Sequence, residues 1–386
     1  MEKSKLKSRN RFSWSPGWVG VPRTRDKSLL LDYYDSISLS SNMEETVEDL
    51  ILIQVKVPDI NVEKTLQFSR CSLIWEAKQQ ILAALPKVST WYRELDEGFN
   101  YGLFLPPNNC KAGKFMDEER TLSEYPFQST LNTIEMKYKR KVYKELNLDQ
   151  KQLKQINSKS NQKKFIEYIS SNNVEKISKL INKGLDPNFH CPDSGETPLS
   201  LCTRNPKSSR SILVLVNGGA LIDYRTKDGS TAMHRGVSGN NYEAVKTMLD
   251  LGGSPNYRDG KGLTPLYLSV AGNTDPNITQ VLLHERAVIG TQDLQGWAEV
   301  HQCCRSGLVQ HLEYLLFYQA DCNARNASGN TPLHVCAVNN QDGCARLLLF
   351  RGADREVLNY AGQTAYQVQI QCARRRFSAW HFHCRY

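Results

Sequence analysis

Apolar and polar residues alternate along the first third of the chain, and then the period changes. Leu50-Ile-Leu-Ile-Gln-Val-Lys-Val-Pro58 reads as a strand closed by proline, and Thr65-Leu-Gln-Phe68 reads as a second. From Leu73 the spacing turns helical: Leu73, Ala77, Ile81 and Leu85 share one face, and Pro86 lies beyond it. Tyr101-Gly-Leu-Phe-Leu105 predicts a third strand, Lys114 to Leu122 a short strand and turn, and Leu131 to Tyr138 a closing strand. Beyond Asn161 the apolar residues recur at helical spacing in short blocks, such as Ala345-Arg-Leu-Leu-Leu-Phe350. The blocks stop at glycines: Gly184, Gly218-Gly219, Gly252-Gly253 and Gly352.

Those blocks are repeats. Gly195-Glu-Thr-Pro-Leu-Ser, Gly229-Ser-Thr-Ala-Met-His, Gly262-Leu-Thr-Pro-Leu-Tyr, Gly296-Trp-Ala-Glu-Val-His, Gly329-Asn-Thr-Pro-Leu-His and Gly362-Gln-Thr-Ala-Tyr-Gln follow one another at spacings of 34, 33, 34, 33 and 33 residues. This period with a Gly-x-Thr-Pro-Leu-His core is the signature of ankyrin repeats. Threonine caps a helix start, and proline fits its first turn, where no N–H partner is needed. Cys202, Gly236, Ser269, Cys303 and Cys336 fill a slot that leaves no room for bulk between two packed helices. A degenerate unit from Lys163 to Asn188 precedes the six and is polar enough to cap the stack. The last unit departs from the pattern: Gln369 takes the small slot, and Arg, His and aromatic residues stand where a Leu-rich helix belongs. A frayed final unit is expected, with the face before it partly open.

The predicted fold class is therefore an α+β ubiquitin-like β-grasp domain followed by an all-α ankyrin solenoid. The expected boundaries are a disordered basic tail over 1–47, the β-grasp over 48–143, a basic, partly helical linker over 144–160, the repeats over 161–372 and a divergent tail over 373–386.

Charge sharpens this division. The net charge is +9, yet residues 1–27, 137–164 and 374–386 carry +6, +8 and +4, so the remainder carries about −9. An acidic folded body with basic tails argues against nucleic acid as the partner, because such binders carry positive charge on the folded face. It also favours contact between the two modules across the short basic connector. Of eleven cysteines, an odd number, Cys202, Cys303 and Cys336 fall in the small repeat slot and Cys71, Cys344 and Cys372 in apolar surroundings, which predicts reduced, buried thiols in the cytoplasm. No run of about 18 apolar residues predicts a membrane span, and the basic N-terminus has no apolar segment behind it.

Enzymatic chemistry finds no footing. His234, His301 and His334 share one repeat phase, which marks them as supports for the turn. His301 with Cys303 and Cys304, and His381 with His383 and Cys384, resemble metal spacing only loosely. No phosphate-cradling loop or nucleophile elbow is present, so no catalytic, cofactor or metal residue is assigned. The residue between Gly and Thr of each unit is expected on the concave face, giving Glu196, Ser230, Leu263, Trp297, Asn330 and Gln363 as candidate partner-binding positions. Trp297 stands out by size, either as an interface anchor or as packing for its own hairpin.

Asn100-Tyr-Gly-Leu-Phe-Leu-Pro-Pro, Gly113-Lys-Phe-Met-Asp-Glu-Glu-Arg-Thr-Leu-Ser-Glu-Tyr-Pro126, Gly184-Leu-Asp-Pro-Asn-Phe-His-Cys-Pro-Asp-Ser-Gly195 and Ala324-Arg-Asn-Ala-Ser-Gly-Asn-Thr-Pro-Leu-His334 resemble the N-terminal half of the Shank family of postsynaptic scaffolds, over roughly residues 50–369. The resemblance implies a Ras-association-type domain ahead of the repeats. It also implies a scaffold at the postsynaptic density, and ankyrin-bound partners such as spectrin and sharpin. The SH3, PDZ, proline-rich and SAM modules of the family are absent here, as in a short isoform or truncated product, so a decoy competing with the full-length scaffold is an alternative role. The family also binds GTP-loaded Ras or Rap through a basic rim, which Lys56, Lys64 and Lys78 would supply here. Gln54, Gln67 and Gln80 stand where relatives carry arginine, which weakens that expectation.

Overall fold

A computed structural model describes residues 50–85, 98–106, 113–127, 132–139 and 150–371. The expectations for the tail over 1–47, for linker residues 144–149 and for the segment after Gln371, with Cys372 and the His381–Cys384 cluster, lie outside these residues.

Among the described residues the N-terminal module is a five-stranded mixed sheet with one α-helix. Its strands are β1 (Leu50–Val57), β2 (Val62–Ser69), β3 (Tyr101–Leu105), β4 (Lys114–Phe115) and β5 (Asn132–Tyr138), in the order β2-β1-β5-β3-β4. β1 pairs antiparallel with β2 and parallel with β5, which is the β-grasp arrangement. Alternation decides the faces: Ile51, Ile53, Val55 and Val57 point inward, and helix α1 (Ile74–Ala84) covers them with Ile74, Ala77 and Ile81. The first N–H groups of α1 are satisfied by the 118–120 segment, Ile74 donating to the Arg120 carbonyl at 2.8 Å and Trp75 to that of Glu118 at 3.1 Å. This clamps Glu118 beside the helix.

After α2 (Gln150–Ile156) the chain forms helix pairs. The degenerate pair is α3 (Lys159–Ser170) and α4 (Val174–Asn182). Unit 1 is α5 (Pro198–Cys202) and α6 (Ser209–Asn217); unit 2 is α7 (Ala232–Ser238) and α8 (Tyr242–Asp250). Unit 3 is α9 (Pro265–Ala271) and α10 (Pro276–His284), and unit 4 is α11 (Glu299–Ser306) and α12 (Val309–Phe317). Unit 5 is α13 (Pro332–Asn339) and α14 (Asp342–Phe350), and the described part of unit 6 ends in a helix, α15, over residues 365–371. One apolar core runs from Phe165 to Ala365, as stacked units require. All five small-slot residues are buried in it. Cys71 departs from expectation: it is exposed, because the turn after β2 leaves the core before reaching α1.

Exposure differs between successive second helices. Leu316 on α12 is 9% exposed, whereas its counterpart one unit later, Leu349 on α14, is 47% exposed. Among the described residues no second helix of unit 6 covers Leu349.

Candidate functional site

The histidine slot shows how each unit is fastened to the next. Nδ1 of His234 and of His334 accepts from the cap hydroxyl of Thr231 and Thr331, each at 2.8 Å. Nε2 then donates to the carbonyl of the following hairpin: His234 to Leu263 at 3.1 Å, His301 to Asn330 at 3.1 Å and His334 to Gln363 at 2.8 Å. Burial holds His234 neutral, its pKa driven down to about 3. In unit 3, Tyr267 uses the same slot to donate from its hydroxyl to Asp293 at 2.9 Å.

This fastening explains the positions expected on the concave face. The carbonyls of Leu263, Asn330 and Gln363 are the acceptors, so those residues are held half-buried in the hairpin rather than presented freely. Glu196 is 3% exposed and bound by Ser200, Arg204 and Arg235, an internal charge clamp. Ser230 is likewise buried, within the turn formed by Thr226 and Asp228. Trp297 is half-buried; its ring meets His301 edge-on at 6.0 Å, and the Arg305 guanidinium lies over it at 5.7 Å. The ring thus packs within its own unit while part of it stays exposed.

Of the three basic-rim candidates on the β-grasp, Lys56 is paired with Glu63 at 3.0 Å, and Lys64 donates to the Ala84 carbonyl at 2.7 Å. Gln54 also binds Glu63, and Gln80 donates to the Gln67 carbonyl. Lys78 corrects the expectation of an exposed rim: its side chain is 1% exposed and bound to the Phe99 carbonyl and to Glu118.

Lys78 belongs instead to a seam between module and repeats that sequence reasoning anticipated only in outline. Glu118 Oε1 takes Lys78 at 2.9 Å and Lys139 at 3.5 Å, and Oε2 takes Arg225 of unit 2 at 2.9 Å. Lys139 also pairs with Asp223. Burial opposes ionisation of Glu118, but the three cations outweigh it and hold the carboxyl well below its usual range. The same burial pushes Lys78 down to about 8. Arg225 is 1% exposed, and its guanidinium also donates to the Gly229 and Arg258 carbonyls. Its backbone is read by Asn100, whose Oδ1 accepts from Arg225 N at 2.8 Å and whose Nδ2 donates to Arg225 O at 3.0 Å. Tyr138 and Tyr224 share a hydroxyl hydrogen bond of 2.6 Å, His190 stacks on Tyr224, and Arg258 covers the Trp75 ring. One signal was available in the sequence: Lys78 stands in the apolar stripe of α1 between Ile74, Ala77 and Ile81, where a charge demands a partner.

The comparisons with known proteins follow the same division. A family model for ankyrin repeats matches residues 165–259, 240–326 and 266–359, and one for the N-terminal or F0 domain of the talin-head FERM matches residues 51–140. The class is thus that of ankyrin-repeat proteins carrying a ubiquitin-like module. More narrowly, the chain belongs to the Shank family: it is 44% identical over 378 residues, 96% of its length, to human SH3 and multiple ankyrin repeat domains protein 2. It is 45% identical over 265 residues, 68% of its length, to mouse SH3 and multiple ankyrin repeat domains protein 1. It spans only 20% and 12% of those relatives. Notch homolog protein 1 of the mouse is 28% identical over 195 residues, covering 47% of this chain and 8% of that one. Among the described residues no helix is long and apolar enough to cross a membrane.

Proposed function

We propose that the chain is a non-enzymatic scaffold or adaptor of the postsynaptic-density type, cytoplasmic, gripping protein partners on the concave side of its ankyrin array. The observation that carries this reading is Trp297, a large ring left half-exposed beneath Arg305. Aromatic and arginine side chains supply most hot spots of protein interfaces. Leu263 and Asn330 flank it on neighbouring hairpins, while Glu196 and Ser230 act from beneath by holding the hairpins of units 1 and 2 in shape. Family likeness suggests cytoskeleton-linked occupants such as spectrin or sharpin. Titrating a spectrin fragment against the whole chain and against Trp297→Ser tests it: at least a tenfold loss of affinity with an unchanged unfolding midpoint is expected. Unfolding of the variant instead would assign Trp297 to packing alone.

A second reading, capture of GTP-bound Ras or Rap, is favoured by one feature: β2 is the sheet's edge strand, with Lys64 on it and Lys56 opposite Glu63. Lys78 takes no part while the seam is closed. Absence of binding to GTP-loaded Rap at about 100 μM, the weak end of useful affinity, would end this reading and leave a scaffold, or a decoy that competes with a longer one.

A further inference from the structure

The module covers only part of the row of hairpins. Six residues before the first-helix caps Thr231 and Thr264 stand Arg225 and Arg258, and the module takes up both: Glu118 pairs with Arg225 at 2.9 Å, and the Trp75 ring lies 5.4 Å from the Arg258 guanidinium. Four residues before the cap of unit 3 stands Gly260, and the Phe99 ring rests against it; a β-carbon there would meet that ring at 3.3 Å. A carboxylate accompanied by aromatic rings is thus what this face accepts in units 2 and 3.

Beyond unit 3 the same two rows continue and nothing lies over them. The first row goes on as Gln292, Arg325 and Leu358 and the second as Leu294, Ala327 and Tyr360, all six exposed. Leu294 is 61% exposed, Leu358 50% and Tyr360 72%, and among the described residues no ion pair holds Arg325. The backing is firm. Ala327 N donates to the Gln295 carbonyl at 3.1 Å and Tyr360 N to that of Ser328 at 3.2 Å, which laces three hairpins together. The Tyr360 ring lies on Gly329, where a β-carbon would meet it at 2.7 Å. Single apolar residues on a surface need no explanation, but three in repeat register around an arginine without an anion mark an interaction site.

We propose that this strip on units 4 to 6 is a docking surface for a partner protein that presents an Asp or Glu carboxylate beside aromatic or leucine side chains. The carboxylate pairs with Arg325, and the apolar side chains cover Leu294 to one side of it and Leu358 and Tyr360 to the other. Charge chooses the partner: a guanidinium takes a carboxylate through two parallel hydrogen bonds, and tyrosine and arginine carry much of the energy of protein interfaces. Continuity supports the same choice, because the strip prolongs rows on which Glu118, Trp75 and Phe99 already pack. A second copy of this chain does not supply those groups, since its own seam holds them. Trp297 takes no part, so this surface stands apart from the groove.

Panning a phage-displayed library of random linear peptides on the full chain, then titrating the best synthetic peptide by fluorescence polarisation, tests this. The enriched sequences are expected to carry Asp or Glu next to Trp, Phe, Tyr or Leu. Arg325→Glu should weaken binding by about tenfold or more, as loss of a hydrogen bond to a charged group does, and Leu294→Ser should weaken it too. A peptide with Lys in place of its acid should bind Arg325→Glu better than it binds the unaltered chain, which also shows that the variant is folded. Phe317→Ser, an aromatic on α12 that is 68% exposed and outside the strip, should change nothing. Enriched peptides without an acid, binding that survives Arg325→Glu, or no enrichment at all would overturn the proposal. Binding that needs Trp297 but not Arg325 would also overturn it, while leaving the groove reading in place.

Discussion

Glu299 stands where Pro198, Pro265 and Pro332 stand in sister units, and its side chain is fully buried. Its carboxyl accepts from the N–H groups of Gly290 at 2.9 Å and Thr291 at 3.2 Å, tying α11 to the preceding loop. Burial outweighs these donors and lifts its pKa to about 7. The folded state therefore keeps the proton longer than the unfolded one. Stability from this group is full below about pH 4.5 and is lost as pH rises through about 7, by on the order of 3 kcal/mol. Glu299→Gln should flatten that stretch of a pH series of unfolding midpoints. His234, with its folded pKa of about 3 against an ordinary unfolded value, contributes a slope of the opposite sign up to about pH 6.5, and Glu299→Gln leaves that slope in place. The anomaly was visible as a broken Thr-Pro-Leu-His motif, but not its consequence, which depends on two loop amides brought over it by the fold.

Elements were the most legible level. Alternation located all five strands, and the 33-residue period located the helix pairs, because both depend on short-range geometry alone. What the period could not distinguish is how the same position fares along the stack. Arg225, Arg258 and Arg325 share one phase, yet Arg225 is buried, Arg258 lies on Trp75 and Arg325 is exposed. The module above them makes the difference. Two glycines show the same dependence on place. Gly229 and Gly252 both hold positive φ, +84° and +83°, so alanine strains each by about 1 kcal/mol. At Gly252 an added β-carbon meets nothing within 4 Å; at Gly229 it meets Gly260 N at 2.7 Å and the Phe99 ring at 3.0 Å. Gly229→Ala should therefore lower the denaturant midpoint clearly more than Gly252→Ala, and hydrogen exchange should quicken around Phe99 only in the former.

At the scale of the molecule, the seam decides whether module and repeats unfold as one body. Its residues are ordinary and far apart: Glu118 and Arg225 are separated by 107 positions, so no local pattern announces them. Removing the central anion leaves buried cations unmatched, which destabilises by about 3–5 kcal/mol in comparable sites. Glu118→Gln, and separately Asn100→Ala, should split a single calorimetric transition into two, with the module melting first; a single unshifted transition would contradict this coupling. Acid should act likewise. The folded pKa of Glu118 lies below its unfolded value, so its contribution is present above about pH 4.5 and disappears as pH falls through the folded value.

The shielding of Glu118 carries one more consequence. Dissolved ions weaken attraction only where they can crowd around the charges, and Lys78 and Arg225 meet their counterion beyond that reach. Brine strong enough to loosen Lys56 from Glu63 on the rim leaves the joint between module and repeats intact.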